Sequence, residues 1–390
     1  MLETIDQFYA VDQLEKWYHD YNHQVIDLCG MIGTGKKEII EEFLYRREFE
    51  NYQVMYLSYN QADIISLALE QYHAYYLDGI LYDYQKDIDF NSLKIINPNS
   101  FDVRYNWIQK RKKKINKAYK IIIVLNAELC SKKVIKDLCK FGLPIILVSD
   151  PMMLGFEKSY LRNHDPNISI NMIKPSVQKH PFNHFIQKFI NNETIPYGNF
   201  KAVTILKKKD SNMYNFKFSD IIIAENDSTV ESLNNLYRSK ILKNNTNILK
   251  PGERLILAES SHEAIINKTE DKIKFYIDQG ITGTVLTVDQ HLKNRRFVNI
   301  TFQPDFYDEE IPEMVLNRFY LNKFTNRSIQ FSPTHVYNFD YGYAITAKKS
   351  QYGFWNDITI IEEPYDDYDY HVKVLYTAMT RAKKSIVIIR

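Results

Sequence analysis

The stretch Val25-Ile26-Asp27-Leu28-Cys29-Gly30-Met31-Ile32-Gly33-Thr34-Gly35-Lys36-Lys37 decides the fold. A short apolar run, Val25–Leu28, leads into a glycine-rich loop, and a helical pattern over Lys37–Arg46 follows. The loop fits the spacing GxxxxGK in the strand–loop–helix setting that gives that spacing its meaning. Glycines let backbone N–H groups turn toward a polyphosphate at a helix N-terminus, and Lys36 extends to the terminal phosphates. The next position departs from the pattern. A Ser or Thr hydroxyl belongs there as a Mg²⁺ ligand, and Lys37 brings an ammonium instead.

Similar apolar runs recur along the chain: Val54–Leu57, Ile121–Leu125, Ile145–Val148, Ile221–Ala224, Ile358–Ile361 and Ile386–Ile389. Four or five branched residues without alternation suit strands buried on both faces of a parallel sheet. Helical segments between them, such as Val134–Lys140, make repeated βα units. Val25 to about Leu154 therefore reads as one α/β domain. Asp220 to about Leu242 with Tyr343–Arg390 reads as a second. Pro251–Phe302 changes character to short alternating segments, Arg254–Ala258, Lys272–Ile277, Gly283–Val288 and Phe297–Phe302, which predict a small β insertion.

Composition sets the outer limits. The 390 residues and 46.3 kDa predict two or three domains at roughly 150 residues each. With 45% hydrophobic and 25% charged residues the chain is globular and not disordered. Fifty basic against 48 acidic side chains leave +2, so any affinity for nucleic acid must come from local patches. Cys29, Cys130 and Cys139 form no CxxC pair, which fits a reducing compartment. No apolar run reaches the roughly 18 residues of a membrane span, and the start lacks a secretory pattern. A cytoplasmic, multidomain chain is the expectation. The many Tyr and Phe, beside abundant Asn, Lys and Ile, read as AT-biased coding. Lys110–Lys120 (KRKKKINKAYK) is either a solvated helix end or a phosphate-backbone contact. Glu362–Tyr370 (EEPYDDYDY) reads as an acidic loop without the periodicity to aim its carboxylates at a metal.

Several motifs taken together resemble superfamily 1 DNA helicases, in the RecD/Dda-like branch of bacteria and phages with a UvrD-type C-terminal domain. Tyr343-Ala344-Ile345-Thr346-Ala347-Lys348-Lys349-Ser350-Gln351 is similar to the family's "YAITVHKSQG". Leu375-Tyr376-Thr377-Ala378-Met379-Thr380-Arg381-Ala382 is similar to "LYTAxTRA", whose arginine reaches the γ-phosphate. Ile146–Leu154 resembles "ILVGDPxQL", and Gly283-Thr284-Val285 stands where the family's SH3-like insertion has "GxxGTV". The resemblance runs in order over nearly the whole chain. It implies two RecA-like P-loop NTPase domains in an α/β fold, ATP in the cleft between them and single-stranded DNA across both. The implied division is 1–175 for the first RecA-like domain, 176–249 and 336–390 for the second, and 250–335 for an SH3-like insertion.

The departures from that pattern are as informative. Anchored on Ser149-Asp150, the family's "DEAS" segment places its metal-binding aspartate on Leu125 and its catalytic glutamate on Asn126. Its γ-phosphate-sensing glutamine falls on Met153, and a second γ-phosphate arginine falls on Pro175. Losing a general base costs about 10²–10⁴ in rate, and losing a γ-phosphate arginine about 10³–10⁵. The resemblance leaves Gln13, Gly33, Thr34, Gly35, Lys36, Asp150 and Arg381 as nucleotide-binding residues. ATP binding is compatible with them, and Mg²⁺ binding is doubtful. Glu128, three residues past Leu125, either reaches the cleft as a substitute carboxylate or sits exposed on a turn. For nucleic acid the candidates are Asn60, Lys348, Lys349, Ser350, Gln351, Tyr352 and Trp355, with Trp355 either stacking a base or packing in the second sheet. The expected protein is a pseudo-helicase that binds nucleic acid or a protein partner in a replication, recombination or defence complex. An active divergent helicase and a protein-interaction module or inhibitor are the alternatives.

Overall fold

The computed structural model describes residues 2–20, 23–88, 95–97, 100–101, 105–111, 115–155, 169–172, 182–193, 195–211, 216–246, 248–258, 263–266, 274–277, 280–290, 297–305, 310–321 and 336–390. Two compact units form: Met1–Leu81 with Lys113–Val230 and Ile345–Arg390, and Tyr82–Lys112 with Glu231–Ala344.

Both α/β sheets belong to the first unit. Its opening strand is β1 (Val25–Gly30), followed by β2 (Val54–Ser58), β3 (His73–Tyr76), β4 (Ile121–Val124), β5 (Ile145–Ser149) and β6 (Ser169–Met172), in the order β6-β1-β5-β4-β2-β3. All neighbouring strands in this sheet pair in parallel. The centre strands β1, β2, β4 and β5 are buried along their whole length, as unalternating apolar runs require. Helices α1 (Ile5–Asp20), α2 (Lys36–Arg46), α3 (Gln61–Leu69) and α4 (Lys132–Cys139) accompany them. Ala10, Val11 and Leu14 of α1 and Ile39, Ile40 and Phe43 of α2 share one core cluster with Leu28, Ile123 and Ile146.

The second sheet has the order β7-β8-β12-β11-β9-β10, from β7 (Gly198–Phe200), β8 (Val203–Leu206), β9 (Ile221–Ala224), β10 (Ala344–Thr346), β11 (Trp355–Ile361) and β12 (Ala382–Ile389). β12 runs parallel to both β8 and β11, and β9 parallel to β11. Helices α5 (Asn183–Ile190), α6 (Asp227–Leu236), α7 (Ala347–Ser350) and α8 (Tyr368–Met379) complete the elements used below.

The second unit holds the β insertion. Arg254–Leu257, Thr282–Gln290, Phe297–Pro304, Ile311–Asn317, Val336–Tyr337 and Phe339–Tyr341 make one six-stranded sheet around Leu255, Val285, Ile300, Phe302 and Phe339. Gly283 is required by close approach: a Cβ there would lie 2.3 Å from the Gln303 carbonyl oxygen and 2.6 Å from the Phe302 ring. Arg238 and Glu253 form a buried ion pair at 2.7 Å in this unit.

Two expectations change. Residues 82–112 leave the first unit. Tyr82–Ile88 and Tyr105–Arg111 pair antiparallel instead of continuing the α/β alternation. Lys110 and Arg111 therefore end a strand, and no helix end forms there; the segment from Ile115 turns directly into β4. Within the acidic segment, 362–367 form a loop, while Tyr368–Tyr370 are the first turn of α8, capped by Asp367 Oδ1 accepting the Asp369 and Tyr370 N–H groups. Among the described residues no group of three acidic, His or Cys side chains could hold a metal, and no helix is long and apolar enough to cross a membrane.

Candidate nucleotide cleft

The glycine loop takes the conformation its sequence demands. Gly33 and Gly35 sit at φ 80° and 85°, the left-handed region that glycine enters at least cost. Gly35 caps α2, and a Cβ there would fall 2.1 Å from Gln7 Nε2. Gly30 is just as constrained, since its Cβ would meet that of Met172 on β6 at 2.7 Å. Thr34, 1% exposed, donates its hydroxyl to the Met31 carbonyl at 2.8 Å. Lys36 Nζ lies folded over the loop, donating to the carbonyls of Gly30 and Met31.

The glutamine touching this loop is Gln7, and the assignment to Gln13 is replaced. Thr4 and Gln7 form a reciprocal cap at the start of α1: Gln7 N–H donates to Thr4 Oγ1 at 3.3 Å, and Thr4 N–H donates to Gln7 Oε1 at 3.2 Å. Gln7 Nε2 then donates to the Thr34 carbonyl at 3.2 Å. Gln13 lines a separate hollow with Tyr9, Trp17 and Asn171. The capping-box spacing Thr4-x-x-Gln7 is the signal in the sequence that points to it.

Beside the loop lies a cavity of about 500 Å³. Lys36, Glu128, Asp150 and Arg381 contribute its polar wall, and Leu125 and Met153 are among its apolar residues. Phe354, just ahead of β11, and Arg381, in the turn into β12, also line it, and α8 packs against the loop beside it. Tyr376, 2% exposed, accepts the Ile32 N–H at 2.8 Å and donates its hydroxyl to Asp150 Oδ2 at 2.5 Å. The Ile32 amide of the glycine loop is thus occupied by a phenol. Thr377 Oγ1 accepts the Leu154 N–H at 3.1 Å, Gln351 Nε2 donates to the Leu154 carbonyl at 2.6 Å, and Asn60 Nδ2 donates to the Gln351 carbonyl at 3.2 Å. Arg381 is 4% exposed, with its guanidinium carbon 4.5 Å from the Phe354 ring centre. Its Nε and Nη2 reach Thr380 Oγ1, while Nη1 has no hydrogen-bond partner among the described residues.

Lys37, Leu125, Asn126 and Met153 are each engaged within the protein. Lys37 Nζ bonds Glu70 at 2.9 Å and lies 3.7 Å from Glu41, half-exposed on the helix surface. Leu125 continues the β4 ladder through its N–H to the Leu57 carbonyl and packs on the core. Asn126 adopts φ 51° and donates Nδ2 to Asp63 at 2.5 Å and to Ser58 at 3.3 Å. Met153 is 3% exposed, its sulfur 3.8 Å from the Thr380 hydroxyl. Pro175 lies outside the described residues.

Glu128 resolves toward the cleft. It is 3% exposed, and its Oε2 accepts the Asp150 N–H at 3.3 Å. The left-handed turn at Asn126 and the short helix Ala127–Leu129 bring it back under the loop. Burial, reinforced by the Asp150 charge, pushes its carboxyl up to about 8. Burial likewise raises Asp27 to about 7, against the hydrogen bond from Ser149 and the charge of Lys36. Asp150 is raised by burial too. Burial lowers the Arg381 guanidinium, with Asp63 and Glu128 opposing that shift. Sequence reading singles out neither Asp27 nor Tyr376.

The nucleic-acid candidates separate by exposure. Lys348 is exposed, and Lys349 and Tyr352 are half-buried. Asn60, Ser350, Gln351 and Trp355 are buried. Asn60 caps α3 through Oδ1 to the Ala62 N–H, and Ser350 donates to the Ala347 carbonyl, so both are engaged within the protein. Trp355 packs at the start of β11.

The whole chain is similar in structure to Pif1 helicases. It covers 92% of a chain from a structure of two coordinating Pif1 helicases unwinding forked duplex DNA, at 14% identity and a TM-score of 0.51. It covers 92% of Bacteroides Pif1 bound to single-stranded DNA, at 13% identity and a TM-score of 0.52. No protein-family model and no curated protein matches the sequence.

Proposed function

We propose a pseudo-helicase: a protein of DNA metabolism that holds a nucleotide and nucleic acid without productive ATP hydrolysis and serves as an accessory to a partner. Its scaffold is the fold of a superfamily 1 helicase, with two parallel-sheet cores matching the two RecA-like domains. The division into 1–175, 176–249 with 336–390, and an SH3-like 250–335 belongs to this proposal, as do the RecD/Dda-like ancestry and a cytoplasmic setting. The carrying observation is the set Lys37, Leu125, Asn126 and Met153. At the metal, base and sensor positions stand side chains that cannot do that chemistry and that are bonded or packed elsewhere. Mg²⁺ does not fit the residues that would hold it.

One observation favours a divergent active enzyme, the burial of Glu128 in the cleft. Its pKa, raised to about 8, leaves most of the carboxyl protonated at neutral pH, so it would act as a base only from its minor ionised fraction.

Nucleic-acid binding is tested by fluorescence anisotropy of a labelled oligothymidine strand over a salt series. Binding should weaken steeply with salt. A Lys348→Ala/Lys349→Ala double variant should lower the logarithmic slope by about 1.4, from roughly 0.7 for each phosphate that a lysine no longer neutralises. An unchanged slope removes these lysines from the interface, and no binding at low salt favours the protein-interaction alternative.

A further inference from the structure

We infer that the cleft takes its nucleotide as the metal-free polyphosphate anion, without Mg²⁺. This rests on the reading that the phosphate loop still binds a nucleotide, and it adds which ionic form is bound. In a working phosphate loop a hydroxyl and a carboxylate hold the cation, and the cation offsets the phosphate charge. Here Lys37 and Leu125 occupy those two positions. The carboxyls that remain nearby are already engaged by protein donors. Asp27 accepts from Ser149 at 2.8 Å, Asp63 from Asn126 and Ser58, Asp150 from Tyr376 and the Met152 N–H, and Glu128 from the Asp150 N–H, while Glu41 faces Lys37. No trio of metal-ligating side chains exists among the described residues.

Lys36 and Arg381 still line the cavity. Lys36 is held against the loop carbonyls it would leave for a phosphate. Arg381 is buried in the cavity wall with Nη1 unpartnered among the described residues, a donor aimed where an anion is needed. Lys37, on the first turn of α2, is paired with Glu70 and Glu41 and adds no free cation, while the helix N-terminus itself favours negative charge. Free ATP carries two more negative charges than its Mg²⁺ complex. A site with Lys36 and Arg381, backbone donors and, among the described residues, no free metal ligands suits the free form.

The test is a titration of the full chain with N-methylanthraniloyl-ATP, once in EDTA and once in excess Mg²⁺. Affinity in EDTA should exceed that in Mg²⁺ several-fold. Lys36→Ala should weaken binding in EDTA by roughly tenfold to a hundredfold, the worth of a charge-assisted hydrogen bond. A second measurement needs no variant: inorganic triphosphate should displace the labelled nucleotide from the unaltered protein in EDTA, and added Mg²⁺ should weaken that competition. Tighter binding in Mg²⁺ overturns the inference and leaves the nucleotide reading standing. No nucleotide binding in either buffer overturns both.

Discussion

Replacing Glu128 with glutamine changes one proton in a buried cleft. Glu128 is 3% exposed and its carboxyl is pushed up to about 8, against 4.5 ordinarily. Between those values the unfolded chain ionises Glu128 while the folded protein keeps the proton, so folding must take a proton up. Stability from this group is therefore complete below about 4.5, falls as pH rises toward 8, and is flat above it. Each tenfold difference in proton affinity is worth about 1.4 kcal/mol, which sets a ceiling of about 5 kcal/mol. Relaxation around Asp150 and water entry reduce that to roughly 1–3 kcal/mol. Glutamine keeps the shape, and its carbonyl can still accept the Asp150 N–H. The variant should match wild type at pH 5 and melt about 2–12 °C higher at pH 8.5, taking roughly 2–4 °C per kcal/mol for a unit of this size. Thermal melts by circular dichroism at half-unit pH steps give the comparison. A melting difference that stays constant with pH, or a variant less stable at pH 8.5, refutes the buried neutral carboxyl.

Other positions give equally definite expectations. Tyr376→Phe removes an acceptor for the Ile32 N–H and a donor to Asp150, and should cost about 1–3 kcal/mol in chemical denaturation. The same variant should bind nucleotide more tightly, because the freed amide is available to phosphate; weaker binding would remove Tyr376 from competition for the loop. Gly35→Ala forces a Cβ into left-handed backbone and against Gln7, costing about 1–3 kcal/mol and abolishing nucleotide binding. In the second unit, Arg238→Ala leaves Glu253 buried without its cation and should destabilise by about 3–5 kcal/mol in urea, whereas an exposed control such as Lys240→Ala changes little.

Much of the fold is legible because the strands β1, β2, β4 and β5 are buried on both faces and leave unbroken apolar runs. The edge strands are not. β3 (His73–Tyr76) and β6 (Ser169–Met172) carry polar residues on a half-solvated face, so no run marks them. The excursion at 82–112 is hidden for a similar reason, since Tyr82–Ile88 mixes polar and apolar residues at no decisive period. At the site, glycine spacing fixes the loop, but two side chains need tertiary information. Glu128 turns inward only because Asn126 enters the left-handed region, and asparagine is permitted there without being required. Asn60 reads as a strand contact because its residue type matches, yet its amide is used by the α3 cap and the Gln351 carbonyl. Gln7 is legible without the fold, because Thr4-x-x-Gln7 is a helix-start signature in its own right.

The central claim, a helicase-like fold without turnover, is tested most directly by steady-state ATP hydrolysis. Purified protein is assayed with Mg²⁺, with and without single-stranded DNA, beside Lys36→Ala. The account predicts rates for the two proteins that coincide under both conditions. DNA-stimulated hydrolysis that disappears in Lys36→Ala would contradict it and reopen Glu128 as the candidate base.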